Sequence, residues 1–439
     1  MQLIASRIPH LAGRYVELKS PGADGPEEQR RPEVVARVSE MLSAIEQGGV
    51  DVVARYAREL DGWEGGDFEL DAEYIRVHTS VLAEDLRTSL DVGAERTRRF
   101  AQITRDRLTD FSTELLPGVE LGVRYIPVGR VGAYLPAGRF PLLSSPSMTI
   151  NVAKVAGVPS VIACTPPGRD GKPDPAMLYA ANICGADRIF CLGGVQALAA
   201  MVFGYLGELP IDMLVGAGNA YVAEAKRQLF GRVSIDLLAG PSEVAVIADE
   251  GADPVLVAAD LLGQAEHGPG SPSALVTTSE SLATAVIVEV DRQLAELDTR
   301  DIAGPAWRNH GRVIYAHDRD TAAALMDELA PEHLELQTTD DEFYVQRLTN
   351  YGSIFIGEVS TVAYSDKGMA GTNHVLPTAG GARHSAGLSV GRFMKPLTYQ
   401  RVQQSATKAL AIPVDIISSY EGMAAHRATA TLRLDRWGD

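Results

Sequence analysis

Apolar positions at three- and four-residue steps dominate the first hundred residues. PEVVARVSEMLSAIEQGG (32–49) carries Val, Met, Leu and Ile at helical spacing and stops on paired glycines; DVVARYARELDGW (51–63) continues as a second amphipathic helix. Residues 81–113 are highly charged and helical in pattern. Before them, SPGADGPEEQRRP (20–32) reads as a Pro/Gly/charge-rich linker after a short N-terminal arm.

Near residue 120 the period shortens. VELGVRYIPVGRVGAYLPAG alternates and is rich in β-branched residues, as strands are. Apolar runs such as SVIACTPP, DRIFCLGG and IDMLVGAGN then alternate with the helical stretches SMTINVAKVAGV, PAMLYAANICGA, VQALAAMVFGYLG and AYVAEAKRQLFG. A second series follows: strands SEVAVIADEG, SALVTTS, GRVIYAHD and GSIFIGEV, with helices DPVLVAADLLGQAEHG, SLATAVIVEVDRQLAEL and DTAAALMDEL between them. This rhythm predicts an α/β fold with two Rossmann-like parallel-sheet domains. Residues 365–390 read as loops, and the tail from LTYQRV onward as largely helical, ending the chain without another strand. The expected organisation is an N-terminal helical arm (1–31), a first α/β domain (32–130 plus 242–378), a Rossmann-like domain (131–241) and a C-terminal helical tail (379–439).

At 439 residues the chain is long enough for two or three compact units. Its 57 acidic against 40 basic residues give a formal net charge of −17, which disfavours nucleic acid or anionic lipid as a partner. Cys164, Cys184 and Cys191 match no metal spacing and read as buried small hydrophobes of a reducing compartment. Neither a signal peptide nor a membrane-spanning run is evident, so a cytoplasmic protein is expected.

Polar groups interrupt this pattern at four places. LLGQAEHGPG (261–270) ends an apolar helix on Gln264, Glu266 and His267; Gln264 and His267, three apart, share a face and suit one cation, although on spacing alone a capped helix end is the simpler reading. APEHLEL (330–336) sets Glu332 beside His333, an acid/base pair suited to moving protons. The polar loop YSDKGMAGTNHVLPT (364–378) holds Asp366 and His374, and EGMAAHRA (421–428) holds Glu421 and His426. LGGVQA (192–197) and VGAGNAYVAEAKR (215–227) are strand–glycine–helix turns that suit a pyrophosphate, but neither is a full G-x-G-x-x-G.

Taken in order, GRVGAYLPAG, GGVQA, GAGNAYVAEAKR, AGPSEVAVIAD, GQAEH, PEHLEL, GTNHVLPT and EGMAAH resemble the histidinol dehydrogenase family from about residue 35 to 435. The resemblance implies one zinc held by Gln264, His267, Asp366 and His426, and an acid/base pair of Glu332 and His333. It implies a substrate pocket lined by Ser144, Ser242, His374 and Glu421, and NAD contacts from Tyr134, Gln196 and Asn219. It further implies a homodimer whose exchanged C-terminal tail brings Glu421 and His426 to the other subunit's site. The implied reaction is a four-electron oxidation of a small-molecule alcohol through a bound aldehyde to a carboxylate. In it His333 takes the alcohol proton, Glu332 assists water, and two NAD molecules take the two hydrides.

The chain also departs from the histidine-pathway members. It has Ala137 within PAG where they read PGG, Gly268 after QAEH where they carry Asp, and one extra residue between Asp366 and His374. AWRNHGRVIYAHD, NYGSIFIGEVSTVAYSDK and ARHSAGLSVGRFMKPLTYQ look more like a paralogous branch that includes sulfopropanediol dehydrogenases. Arg139, Arg383 and Lys395 near the pocket loops would suit an anionic head group. Oxidation of 2,3-dihydroxypropane-1-sulfonate is therefore the expected activity. L-histidinol oxidation is the alternative, and a catalytically silent zinc- or ligand-binding protein the alternative of another class.

Overall fold

A computed structural model describes residues 1, 7–22, 32–137, 140–207 and 209–438. The chain divides into two compact units, 1–102 with 129–390 and 103–128 with 391–439.

The first unit is built on two six-stranded sheets. One contains β2 (Glu69–Leu70), β5 (Arg130–Tyr134), β6 (Ser160–Thr165), β7 (Arg188–Cys191), β8 (Met213–Val215) and β9 (Ser234–Ile235), in the order β2-β7-β6-β5-β8-β9. The other contains β1 (Tyr15–Lys19), β10 (Val244–Ala248), β11 (Ser273–Thr277), β12 (Gly311–Ala316), β13 (His333–Gln337) and β14 (Ser353–Ile356), in the order β1-β12-β11-β10-β13-β14. In each, five parallel strands carry one antiparallel edge strand, β2 or β1. The two sheets thus share a strand order, with the first parallel strand in the middle and the chain turning back past it. That is the doubly wound arrangement expected of the βα rhythm. The central strands β10, β11 and β13 are buried on both faces, which is why they read as continuous apolar runs.

Four readings of the sequence are corrected. Part of the arm is a strand, not a helix: YVELK pairs antiparallel with β12, and its alternation is too short to stand out. The helix Pro32–Asp61, broken at Gly49 (φ +64), packs through Val38, Met41, Ile45, Val53 and Tyr56 on the β5–β9 sheet. Grouping it with 242–378 misplaced it, because an amphipathic face does not say which sheet covers it. The charged helix ends at Arg105, and β3 (Phe111–Leu116) follows.

The fourth correction concerns the tail. In the second unit, β15 (Met394–Val402) pairs antiparallel with β4 (Val119–Pro127), which also pairs with β3. The stretch MKPLTYQRV therefore includes the strand that the reading denied. Its side chains are mostly exposed, so no buried alternation marks it. Beyond it lie the helices Thr407–Tyr420 and Ala424–Trp437. The three cysteines are buried and free. Among the described residues no helix is long and apolar enough to cross a membrane.

Candidate active site

Glu332 and His333 stand where the chain enters β13. The preceding helix, Arg319–Leu329, ends on Ala330 in the left-handed region (φ +46), and Pro331 follows. Gly352 lets the neighbouring chain approach here: a Cβ on it would lie 2.5 Å from the Glu332 carbonyl oxygen. The Ser353 amide donates to that oxygen. His333 pairs in register with Val244, so the segment entering β10 runs alongside.

That segment fixes both side chains. Ser242 Oγ and the Glu243 amide donate to Glu332 Oε2 at 2.7 and 2.8 Å. His333 Nδ1 lies 3.0 Å from the Glu243 carbonyl oxygen, which only accepts, so the ring proton sits on Nδ1. Nε2 then presents a bare lone pair; among the described residues it has no hydrogen-bond partner, and it lies 3.9 Å from Asp366 Oδ1. Burial pushes the imidazole down to about 4, so the ring is neutral. Burial likewise raises the Glu332 carboxyl well above its usual range, against the two hydrogen bonds that favour its ionised form.

Gln264 lies in the last turn of the helix Pro254–Ala265, and His267 in the turn that follows. His267 Nε2 is 3.4 Å from Asp366 Oδ2, and Asp366 ends the short helix Val362–Asp366. The Gln264 amide is buried, and among the described residues neither its oxygen nor its nitrogen finds a partner. A buried unbonded amide is costly, and a ligand would satisfy it. Imidazole, carboxylate and amide oxygen suit zinc, so these residues fit the metal. They do not complete its shell: among the described residues no three His, Cys, Asp or Glu side chains form a metal cage. Glu266 is not in this set; its carboxylate accepts from Thr299 Oγ1 at 2.8 Å and ties the helix end to the start of the helix Arg300–His310.

Ser144, from the loop after β5, donates to the Asp366 carbonyl oxygen and sits 3.1 Å from His374 Nε2. Ser144, Ser242, Gln264, His267, Glu332, His333, Asp366 and His374 are therefore all carried by the first unit, and those from 242 to 374 gather at the amino ends of β10 and β13. Glu421 and His426 are exposed residues of the second unit.

Tyr134 ends β5, and Gln196 and Asn219 follow β7 and β8, so all three sit at the carboxyl edge of the other sheet, where open α/β sheets usually bind ligands. Asn219 caps the helix Ala220–Leu229, its Oδ1 accepting from the Tyr221 and Val222 amides, and the residue is exposed. The helix Gly194–Phe203 is different. Its N-terminus already faces a carboxylate: Asp61 accepts from the Gly193 amide at 3.0 Å and from Gln196 Nε2 at 2.9 Å, while Tyr134 Oη accepts from the Gly194 amide. An incoming phosphate would have to displace that anion, so the LGGVQA turn is the poorer of the two pyrophosphate sites. Asp61 was not evident in the sequence, because it ends a helix some 130 positions away.

Of the cationic candidates, Arg383 is committed to the Glu328 side chain and carbonyl oxygen. Lys395 is an exposed residue of β15 in the second unit, and Arg139 lies outside the described residues.

The histidinol dehydrogenase family model matches residues 25–434. A sulfopropanediol 3-dehydrogenase of Ruegeria pomeroyi is 44% identical over 92% of this chain and 93% of its own. A histidinol dehydrogenase of Cereibacter sphaeroides is 43% identical over 83% of each. The crystal structure of histidinol dehydrogenase from Elizabethkingia anophelis superimposes with a TM-score of 0.89 at 31% identity, covering 94% of this chain and 95% of that one. The chain belongs to the histidinol dehydrogenase family, a family of NAD-dependent oxidoreductases.

Proposed function

We propose that this chain is a zinc- and NAD-dependent dehydrogenase that oxidises a small polar primary alcohol, through a retained aldehyde, to a carboxylate. The observation that carries the reading is His333: a buried, neutral imidazole with its proton directed at the Glu243 carbonyl and its bare Nε2 facing Asp366. Such a ring takes a proton from an alcohol hydroxyl brought to Nε2. Glu332, held by Ser242 and the Glu243 amide, whose hydrogen bonds favour its ionised form, suits the later step, taking a proton from water at the aldehyde carbon. Ser144 and His374 border the same space and orient the alcohol.

Gln264, His267 and Asp366 would hold zinc, with His426 as the fourth ligand and Glu421 at the substrate, both supplied by the second unit of a partner subunit. When bound, zinc supplies Lewis-acid polarisation of the alcohol oxygen, and NAD accepts the hydrides. Tyr134, Gln196 and Asn219 border the nucleotide.

For substrate we favour 2,3-dihydroxypropane-1-sulfonate. The support is Ala137 and Gly268, where histidine-pathway members differ, together with the branch-like segments. Arg383 adds nothing to this preference, being already paired. The second reading, L-histidinol, is favoured by the retention of His374 and Glu421. Steady-state NADH formation with each alcohol separates them. Turnover of the sulfonated diol well above histidinol is expected, and turnover of histidinol alone would overturn the preference. A silent binding protein would turn over neither.

A further inference from the structure

Two carboxyls that take no part in this chemistry, one fully buried and one half-buried, lie behind the site. Glu335, two residues beyond His333 on β13, is fully buried in a strand whose neighbours are Leu334 and Leu336. Asp260 lies one helical turn before Gln264. The two carboxyls share one donor. Gln337 Nε2 donates to Asp260 Oδ2 at 2.8 Å and approaches Glu335 Oε2 at 3.5 Å. Both carboxyls also hold the start of the helix that ends on Asp366: Thr361 Oγ1 donates to Asp260 Oδ1 at 2.9 Å, and the Val362 amide donates to Glu335 Oε1 at 2.9 Å.

The arrangement ties three elements at one point. One carries Gln264 and His267, the second His333, the third Asp366. We propose that Asp260 and Glu335 are positioning residues that hold the metal-ligating side chains and the His333 base in mutual register. This inference rests on the zinc site proposed above. Charge asymmetry within the pair follows from its partners. Asp260 accepts from Thr361 and Gln337, one donor on each oxygen, and is the better supported as a carboxylate, although burial raises it too. Glu335, pushed well above the usual carboxyl range by burial and by Asp260, is the neutral member. An amide reproduces a neutral carboxyl but not a carboxylate surrounded by donors. Glu335→Gln therefore preserves the knot, whereas Glu335→Ala and Asp260→Asn break it.

The test measures zinc affinity of the full-length protein by chelator competition, with the visible absorption of the cobalt-substituted protein as a record of ligand geometry. Glu335→Ala and Asp260→Asn are expected to weaken zinc roughly 10- to 100-fold, the range for supporting residues around metal ligands, and to alter the cobalt spectrum. Glu335→Gln is expected to restore both to within about threefold of the parent. His267→Ala serves as the control for the site itself. If His267→Ala loses zinc while Glu335→Ala and Asp260→Asn keep it, the positioning role is wrong and the zinc site stands. If His267→Ala keeps zinc, the site and the inference fall together. Should the first two variants not fold, Thr361→Val, which removes only the hydroxyl bond to Asp260, must still weaken zinc; unchanged affinity in it would overturn the proposal.

Discussion

Replacing Lys226 by Met isolates one buried ion pair beneath the turn that leads to Asn219. Lys226 Nζ is 4% exposed and pairs with Asp236, which is fully buried. The same ammonium donates to the Gly216 carbonyl oxygen at 2.8 Å, and Asp236 Oδ2 accepts from the Gly216 amide at 2.7 Å. The pair thus grips both polar groups of Gly216, the first glycine of the turn leading to Asn219. Gly216 is held at φ +115, and a Cβ there would lie 2.0 Å from the Tyr134 carbonyl oxygen, so the turn has little freedom to relax. Met preserves the volume of the lysine stem, so no cavity opens. What remains is a buried carboxylate without its cation and a carbonyl without its donor. Removing one partner of a buried pair costs about 3–5 kcal/mol. The Gly216 and Leu237 amides continue to stabilise Asp236, which places the loss near the lower end, about 3 kcal/mol. Urea unfolding of parent and Lys226→Met proteins measures it, and the KM for NAD should rise in parallel. The double variant Lys226→Met with Asp236→Asn should be less damaged than the two single losses summed. A loss below about 1 kcal/mol, the level of a surface pair, would refute the argument that this contact is desolvated and confining.

Other consequences follow from the same geometry. His333→Gln should lower kcat by about 10²–10⁴-fold, the usual contribution of a positioned base, while zinc content stays at the parent level; undiminished turnover would remove His333 from the chemistry. Glu266→Gln should leave zinc content and kcat unchanged and lower stability by about 1 kcal/mol through its bond to Thr299, so loss of metal in this variant would return Glu266 to the ligand set. Because Glu335 has a native pKa above its unfolded one, its contribution to stability is full below the ordinary carboxyl range. That contribution is lost as pH rises through the native value. Glu335→Gln should flatten that decline, and an unchanged pH–stability profile would contradict the raised carboxyl of Glu335.

Much of the fold was legible because the buried strands are apolar runs bounded by glycine turns, and SVIACT, VAVIA and SALVT all became parallel strands. Strands that bury little were not legible: YVELK is half-exposed and MKPLTYQRV almost wholly so, and their pairing partners lie hundreds of residues away. The residues of the site were legible as polar interruptions, Gln264 and His267 at a helix end and Glu332 with His333 at a strand start. Their relation was not, since no local pattern brings Asp366 to within 3.4 Å of His267. The supporting groups left a fainter mark. Glu335 is a charge in the middle of a buried strand, and HLELQ records that anomaly in plain view, but its partner Asp260 is a single acid among the leucines of another helix.

The number of NADH molecules formed per alcohol consumed tests the central claim most directly. With the sulfonated diol limiting and NAD in excess, the account predicts two NADH for each alcohol, a carboxylate as the product and no aldehyde released to a trapping hydrazine. One NADH per alcohol with free aldehyde in solution would contradict it, because Glu332 would then have no second step to serve.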